Sequence, residues 1–469
     1  MKFNIKYKDD CVQWNVKNKS FLCKQALATT ASCMISVSTG LILGISSVML
    51  PQLREDETIQ HNPNHESWIA SIATLSMVIG SLSCGPILDS FGRKPAHIIL
   101  GIPFIIGWIV IACAKSSTVV LVGRFITGIS AGANKAVTMV YIGEITDPKI
   151  RAAGLFMPGF MTPAGVLLSH IIGYYLGWRI SSVVFIIPAV VSSVIFLYLK
   201  ESPLWLIAKG RITEGEDTFR WFRGTGESSE AELKTILERQ CEKPVMTIKE
   251  TLNAACSRSF IKPMLILMVI MIDLQLSGVN ALSFYSQDIF GKAFSGSIDP
   301  FLMTIVMDCI RCSVCLGMCV VGSMVPRKLA LLVSNVCVTV FNFGLVACFA
   351  VDLSNSIWVP VSCLVMFIIF SSIIMSTGWT FVPELLPTSA RGLGSGLNSA
   401  FSFISLFVSV KIIPDIIYAF GEIGLFTYFG MATFICGIIL SFTLPETNGK
   451  TLQSIEDSYK KKCVGKNVS

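Results

Sequence analysis

The chain carries one set of opposite charges twice, in the same order. Glu144 and Arg151 lie seven positions apart in the first half, and Glu384 and Arg391 keep that spacing in the second half. Carboxylates and guanidinium groups on neighbouring helix ends form ion pairs, which can hold one face of a helical bundle closed and release it when the helices move apart. We predict this gating role for a larger set of charges: Asp89, Arg93, Lys94, Glu144, Arg151, Glu201, Arg327, Glu384, Arg391 and Glu446.

The first motif of the set is the turn GPILDSFGRKPA. Its glycines, Gly85 and Gly92, predict close backbone approach and a sharp turn. Asp89, Arg93 and Lys94 predict a compact ionic cluster at the end of a helix. Ordinary flanking charge is the alternative explanation of a single motif. Four motifs in order, followed by a second copy of the set, favour gating and indicate a duplicated membrane transporter.

Composition indicates that these charges border membrane-spanning helices. Charged residues make up 14% of the chain, whereas soluble domains carry about 25%. A helix that spans a bilayer needs about 20 mainly apolar residues. Twelve segments meet that requirement: 26–49, 67–88, 96–114, 119–142, 152–177, 180–199, 262–288, 300–324, 329–351, 357–383, 392–413 and 421–444.

These segments predict an all-α membrane protein with 12 transmembrane helices in two pseudo-symmetric six-helix bundles. The expected division is a tail (1–25), a bundle (26–199), a central loop (200–261), a second bundle (262–444) and a second tail (445–469). The loop stretches TEGEDTFRWFR and SSEAELKTILERQ have helical periodicity. Short helices there would brace the two bundles or offer a regulatory docking surface.

Flanking charges predict the orientation. Lysines concentrate in both tails, whereas the first loop sets Arg54 against Glu55, Asp56, Glu57 and Glu66. Because cytosolic segments carry the excess of Lys and Arg, both tails and the central loop are expected in the cytosol of a multi-pass plasma-membrane protein. The net charge of +7 follows from this bias and does not predict nucleic-acid binding. Residues 1–25 are polar and lysine-rich, so no cleavable signal peptide is expected.

The 16 cysteines predict neither disulfides nor a metal site. None lies in a predicted external loop, where disulfides would form. Cys309, Cys312, Cys315 and Cys319 have near-helical spacing on the eighth predicted helix, which suits helix packing better than a metal or redox site. No nucleotide-binding loop or catalytic constellation occurs, so neither a cofactor nor enzymatic activity is expected.

Four charged residues fall at membrane depth: Lys135, Asp273, Asp308 and Arg311. Each would be costly in lipid and is therefore a candidate functional residue. Asp308 and Arg311 can pair on one helix face, and Asp273 and Lys135 could join them across a central cavity. Their charges sum to zero, as in a structural or gating network, while substrate contacts and proton coupling are alternatives. His170 is a further candidate proton carrier or a satisfied interior histidine.

Several segments resemble motifs of the sugar-porter branch of the major facilitator superfamily. GRFITGISAG resembles that family's fourth helix, LQLSGVNALSFYS its seventh, GWTFVPELLP its tenth, and ESPLWL and PETNGKTL its motifs after the sixth and twelfth. The segment STGLILGISSVMLPQL looks most like insect facilitated trehalose and glucose transporters. The resemblance runs from about Gly40 to Glu456 and implies two bundles that rock around a central site.

The resemblance implies a sugar site at that centre. Gln275 and Asn280 match positions that hydrogen-bond sugar hydroxyls, and Trp379 matches a tryptophan that packs on the sugar ring. Tyr285 and Ser286 match the external gate region just beyond. Such amides suit a sugar, which has many hydroxyls and little apolar area, although they also join membrane helices.

Other positions depart from the family's pattern. Leu274 replaces the first glutamine of the helix 7 motif. Gly159, Arg311 and Ser371 stand where the family has a glutamine on helix 5, an asparagine on helix 8 and a glutamate on helix 10. Several hydrogen-bonding groups for a hexose are therefore missing.

We predict a facilitative carrier for a sugar of the trehalose or glucose class. Proton-driven relatives usually carry an aspartate beside the glycines that match Gly40 and Gly44, and no carboxylate lies there in this chain. The first alternative is a carrier of the same fold for another solute, charged or proton-coupled. The second is a non-transporting sugar sensor. The expected partners are the sugar and the lipid bilayer, and the carrier is expected to be a monomer.

Overall fold

A computed structural model describes residues 16–59, 62, 65–242, 257–293, 298–321, 325–351, 358–386 and 391–446. Both ends of the chain, with most of the PETNGKTL motif, lie outside the described residues. The described residues form sixteen helices: α1 (Val16–Glu55), α2 (Glu66–Phe91), α3 (Arg93–Ala112), α4 (Ser117–Ile145), α5 (Pro148–Val184), α6 (Ile187–Tyr198), α7 (Pro203–Ala208), α8 (Ile212–Arg223), α9 (Glu227–Glu242), α10 (Arg258–Leu276), α11 (Val279–Ala293), α12 (Pro300–Val321), α13 (Arg327–Ala350), α14 (Trp358–Gly378), α15 (Phe381–Leu385) and α16 (Arg391–Thr443).

These helices make twelve membrane spans, as predicted. Nine helical stretches of the described residues are long and apolar enough to cross a membrane. Two of them hold two spans each, because Gly177 and Gly421, with backbone φ of 73° and 63°, separate two helical runs. The twelfth span is α4, which is less apolar because it buries polar side chains such as Arg124 and Asn134 inside the bundle.

Close backbone contacts hold the first bundle together. A Cβ on Gly40 would lie 2.1 Å from the Thr162 carbonyl oxygen, and one on Gly80 would lie 1.9 Å from that of Ile129. Only glycine permits such approach, which is how helices pack in lipid where no hydrophobic force drives them together. Gly85 differs from the prediction, since a Cβ there would meet no atom within 4 Å.

A fully buried arginine joins three helices of this bundle. Arg124 of α4 donates hydrogen bonds to the Ile42 carbonyl of α1 at 2.6 Å and to the Ile69 carbonyl of α2 at 3.1 Å. It also donates to the Ser46 hydroxyl at 2.8 Å. Because carbonyls and a hydroxyl satisfy its guanidinium, Arg124 is a structural residue of the bundle.

The helices α7, α8 and α9 lie against one end of the first bundle, which we call the loop face; the other end is the opposite face. Helix α1 begins at Val16, before the predicted boundary at residue 26, because its first turns contact α8. The Gln25 amide donates to the Phe222 carbonyl at 2.8 Å and accepts from the Asp147 backbone at 2.9 Å. Arg223 donates to the Ile145 carbonyl at 3.0 Å and so joins α8 to the end of α4.

The close contact at Gly80 predicts a large effect of one added methyl group. We expect Gly80→Ala to lower the free energy of unfolding by about 1–3 kcal/mol, the usual cost of overpacking, because the Ile129 backbone cannot move aside. Gly85→Ala, on the same helix, is the matched control and is expected to be neutral or slightly stabilising. Thermal unfolding in detergent measures both, and equal melting temperatures would contradict the packing argument.

Candidate functional site

The seventh span breaks in the middle of the membrane. Helix α10 ends at Leu276 and α11 begins at Val279, and between them Gly278 has a φ of 95° that only glycine adopts readily. A Cβ there would also lie 2.7 Å from the Phe429 ring. The break places Gln275 and Asn280 next to each other, although each belongs to a different helix.

The two predicted amides form a hydrogen-bonded chain across this break. The Asn280 amide donates to Gln275 Oε1 at 2.8 Å, and the Gln275 amide donates to the Ser402 hydroxyl of α16 at 2.9 Å. Arg311 of α12 donates to Asn280 Oδ1 at 3.0 Å and to the Ser283 hydroxyl at 2.6 Å. All five side chains are buried, so the donors and acceptors satisfy each other inside the second bundle.

The charges at membrane depth do not form the predicted network. Asp308 accepts from His170 of α5 at 2.5 Å, so its carboxylate crosses to the first bundle and does not pair with Arg311 on its own helix. The second His170 nitrogen lies 3.3 Å from the Ser283 carbonyl. Because His170 on another helix binds the Asp308 carboxylate, the expected ion pair between Asp308 and Arg311 does not form.

Asp273 is separate from the other charges. Its side chain is fully buried and lies beside Asn335 of α13 and Cys436 of α16, within the second bundle. Its carboxylate makes no hydrogen bond of normal geometry in the described residues, and neither does the Asn335 amide. The predicted link from Asp273 to Lys135 is therefore absent from the described structure.

Lys135 contacts the predicted aromatic platform. Its ammonium lies 3.3 Å from the centroid of the Trp379 ring, at the break between α14 and α15. This is a cation–π contact between the two bundles. Trp379 also packs against the large apolar core.

The predicted gate residues Tyr285 and Ser286 lie at a bend in α11, where Tyr285 has the non-helical angles φ −134° and ψ 22°. The Ser286 hydroxyl is 2.7 Å from that of Ser47 on α1, which joins the bundles. The Tyr285 hydroxyl is buried and has no hydrogen-bond partner among the described residues. Beside this bend a cavity of about 20 Å³, bordered by His170, Asp308 and Arg311, has room for about one water molecule.

An ion pair closes the opposite face. Arg54 at the end of α1 contacts Asp288 of α11 at 3.0 Å and Glu66 of α2 at 2.7 Å. Nearby, the rings of Tyr174 and Phe301 stack with centroids 3.7 Å apart and join α5 to the start of α12. The sequence analysis missed this contact between the halves, because it treated Arg54 only as a loop charge, although an arginine at a helix end opposite an acidic residue of the other half is a signal.

The first set of predicted gating charges meets at the loop face. Arg93 contacts Glu144 with two hydrogen bonds of 2.8 and 2.9 Å, and Ser202 donates to the same carboxylate. Glu201 accepts from the backbone N–H groups of Arg93 at 2.9 Å and Lys94 at 3.1 Å. Burial raises the pKa of the Glu201 carboxyl above its usual value, and these backbone donors oppose the shift.

Other members of the set lie outside this cluster. The Lys94 ammonium donates to the Leu197 carbonyl at 3.0 Å, and Arg151 contacts Glu232 of α9 at 3.5 Å. Asp89 is exposed, and its carboxylate makes no ion pair with any described residue. The predicted ionic cluster of Asp89 with Arg93 and Lys94 is therefore absent from the described structure.

The second set of predicted gating charges forms a similar cluster with fewer described contacts. Arg327 at the start of α13 contacts Glu384 of α15, and Glu446 lies near Arg327. Helix α16 begins at Arg391, whose side chain is not among those described. In both sets no described ion pair joins the two bundles: the pairs lie within one bundle or join it to the loop helix α9.

The Arg93–Glu144 pair predicts a measurable coupling, because both side chains are at most 16% exposed. In a double-mutant cycle with Arg93→Ala and Glu144→Ala we expect a coupling energy of about 2 kcal/mol from thermal unfolding. The matched control is Arg211 with Glu214, an exposed pair on the loop helices, which should show little coupling. Equal coupling in both pairs would contradict a structural role for the cluster.

Known proteins of similar sequence identify the family of this chain. The model of the family described as "Sugar (and other) transporter" matches residues 24–459. The chain is 30% identical to the facilitated trehalose transporter Tret1 of Polypedilum vanderplanki, over 94% of this chain and 88% of the relative. It is also 30% identical to Tret1 of Drosophila willistoni, but there it spans about half (51%) of the relative's length.

The solved structures agree on the fold. A major facilitator superfamily proton:xylose symporter, XylE, bound to 6-bromo-6-deoxy-D-glucose superposes with a TM-score of 0.75 at 18% identity, over 94% of this chain and 99% of XylE. The inward-open conformation of XylE from E. coli gives the same TM-score. These likenesses confirm the predicted all-α architecture of two pseudo-symmetric six-helix bundles, and the family match over residues 24–459 shows that the chain belongs to the sugar (and other) transporter family.

Proposed function

We propose that this protein is a facilitative sugar transporter of the trehalose or glucose class that works by alternating access. The observation that carries the proposal is the pair Gln275 and Asn280, which the break at Gly278 brings within 2.8 Å of each other at the centre of the two bundles. Amide pairs of this kind can exchange their mutual hydrogen bonds for those of sugar hydroxyls. The relatives described as facilitated trehalose transporters support the same substrate class.

In this mechanism Trp379 supplies the apolar face of the site, and no bond of the sugar breaks. The ring lies at a break in the tenth span, as the amides lie at a break in the seventh. Breaks in spanning helices are tolerated where they line a cavity, and they give transporters mobile segments beside the substrate. The sugar would bind between these two breaks.

The gates follow from the contacts of the two faces. Ser47 with Ser286, and Arg54 with Asp288, hold the opposite face closed. Sugar would leave or enter at the loop face in this conformation, and rupture of these contacts would open the opposite face. The lysine-rich tails support placing the loop face in the cytosol. We propose that this multi-pass protein acts as a monomer in the plasma membrane.

A second candidate is a carrier that moves a charged solute or couples transport to protons. The observation that favours it is the contact of His170 with Asp308 between the two bundles. A proton on this pair would change an inter-bundle contact during each cycle, which is how a proton gradient could drive rocking. The non-transporting sugar sensor is distinguished by sugar binding without flux.

The aromatic platform gives the first test. We expect Trp379→Ala to lower the rate of labelled glucose or trehalose uptake by tenfold or more in oocytes, because the sugar ring loses its stacking surface. The matched control is Trp358→Ala at the outer start of the same span, which is 75% exposed and should transport normally. Equal loss in both variants, at equal surface expression, would contradict the placement of the site.

The His170–Asp308 pair gives the second test. For a facilitative carrier, we expect uptake to be nearly equal at external pH 5.5 and 7.5, and Asp308→Asn to leave that independence unchanged. Asp415→Asn serves as the control, because this acid lies on α16 near the opposite face, a few residues before the break at Gly421. Uptake that rises several-fold at the lower pH and loses this rise only in Asp308→Asn would favour the proton-coupled carrier.

A further inference from the structure

The ionisable side chains near the centre of the molecule sum to a positive formal charge. Asp273 lies apart, beside Asn335 and Cys436, and contacts none of the others. The remaining group has two cations, Lys135 and Arg311, and one carboxylate, Asp308. With His170 neutral the excess is one positive charge, and with His170 protonated it is two. Among the described spans the remaining acidic residues lie near one face or the other, so the sign does not depend on the histidine.

The two cations are held differently. Arg311 donates to Asn280 and Ser283, so the protein itself satisfies much of its guanidinium. Lys135 contacts the Trp379 ring, and its ammonium makes no hydrogen bond or ion pair with any described residue. An ammonium has three donors, and at membrane depth an anionic partner stabilises it far more than an aromatic ring alone.

Lys135 also covers the surface that a neutral sugar would use. Its ammonium is 3.3 Å from the ring centroid of Trp379, which is the distance of direct contact with that face. A neutral hexose would have to displace the ammonium from the ring and leave it without an anionic partner. A sugar with an acidic group would accept hydrogen bonds from the same ammonium while freeing the ring.

We propose that Lys135 is a specificity-determining residue through which the site selects a monosaccharide bearing one carboxylate, of the hexuronate type. The carboxylate pairs with the Lys135 ammonium, and the ring hydroxyls bind Gln275 and Asn280. This inference rests on the proposed sugar carriage and narrows its substrate class from neutral to acidic sugars.

The matched probes are D-glucose and D-glucuronate, which differ only in the group at C6. In oocytes that express the full chain, we expect glucuronate to enter faster than glucose at equal low concentration, and to inhibit glucose uptake at lower concentration than trehalose does. Because facilitated entry of an anion moves charge, we also expect an outward current with glucuronate and none with glucose. Water-injected oocytes give the background.

Two lysine variants separate charge selection from loss of an inter-bundle contact. Lys135→Met should shift the ratio of glucuronate to glucose uptake by at least tenfold toward glucose, which corresponds to about 1.4 kcal/mol. The matched control is Lys411→Met, since Lys411 lies 4.1 Å from the centroid of Trp68 and makes a similar contact between α16 and α2. We expect that control to keep the ratio of the unchanged protein.

The outcomes distinguish this inference from the proposed function. Uptake of glucose without uptake or competition by glucuronate would overturn the inference and leave the sugar carrier standing. A current with inorganic phosphate or chloride but with neither sugar would overturn both. Both would also be overturned if no probe crossed the membrane although the protein is present at the cell surface. If Lys135→Met fails to reach the surface, competition by glucuronate in the unchanged protein decides the matter.

Discussion

The candidate site at the centre depends on the break of the seventh span at Gly278. Every backbone polar group inside a bilayer must find its partner within the protein, so a spanning helix can stop halfway only where side chains and neighbouring helices complete its hydrogen bonds. Here the Ser277 hydroxyl donates to the Leu274 carbonyl near the end of α10, and side-chain hydrogen bonds from Ser402 through Gln275 and Asn280 to Arg311 join the two helices across the break. The same groups that stabilise the break are the groups that could bind a polar solute, so stability and recognition share one set of hydrogen bonds.

The two faces use ion pairs in different ways. At the opposite face Arg54 contacts Asp288, so an ion pair holds the two bundles together. At the loop face Arg93 contacts Glu144, and Arg327 contacts Glu384, within a single half each time. Pairs that brace one bundle allow it to move as a unit, whereas a pair between bundles must break for that movement. A partly exposed pair such as Arg54 with Asp288 suits the second task, because water lowers the cost of separating it.

Sequence alone predicted most of the fold because the required signals are local. Apolar length identified the spans, including α4, where the buried Arg124 and Asn134 lower the hydropathy. The duplicated motifs indicated two halves in equivalent order. The start of α1 at Val16 was missed, because polar turns that pack on α8 look like a tail when only hydropathy is counted.

The site was predicted only in part, for reasons of helix geometry. Residues of one motif, such as Gln275 and Asn280, could be predicted to share a site from the resemblance, but partners on other helices depend on how each helix is rotated. Asp308 and Arg311 share a face, yet Asp308 contacts His170. For Asp273 a signal was available: it lies two positions before Gln275, and residues two apart on a helix do not face the same side.

The central side chains differ in how many hydrogen bonds the protein itself provides to them, and this difference decides what a solute would encounter. Gln275, Asn280 and Arg311 already form hydrogen bonds with one another and with the hydroxyls of Ser402 and Ser283. A sugar hydroxyl that enters must replace hydrogen bonds of similar strength, so its binding gains little net free energy. Lys135 has only the Trp379 ring. A charge on the solute therefore meets the one central cation whose ammonium lacks a hydrogen-bond acceptor among the described residues. In such a site the sign of the solute's charge affects affinity more than its number of hydroxyls.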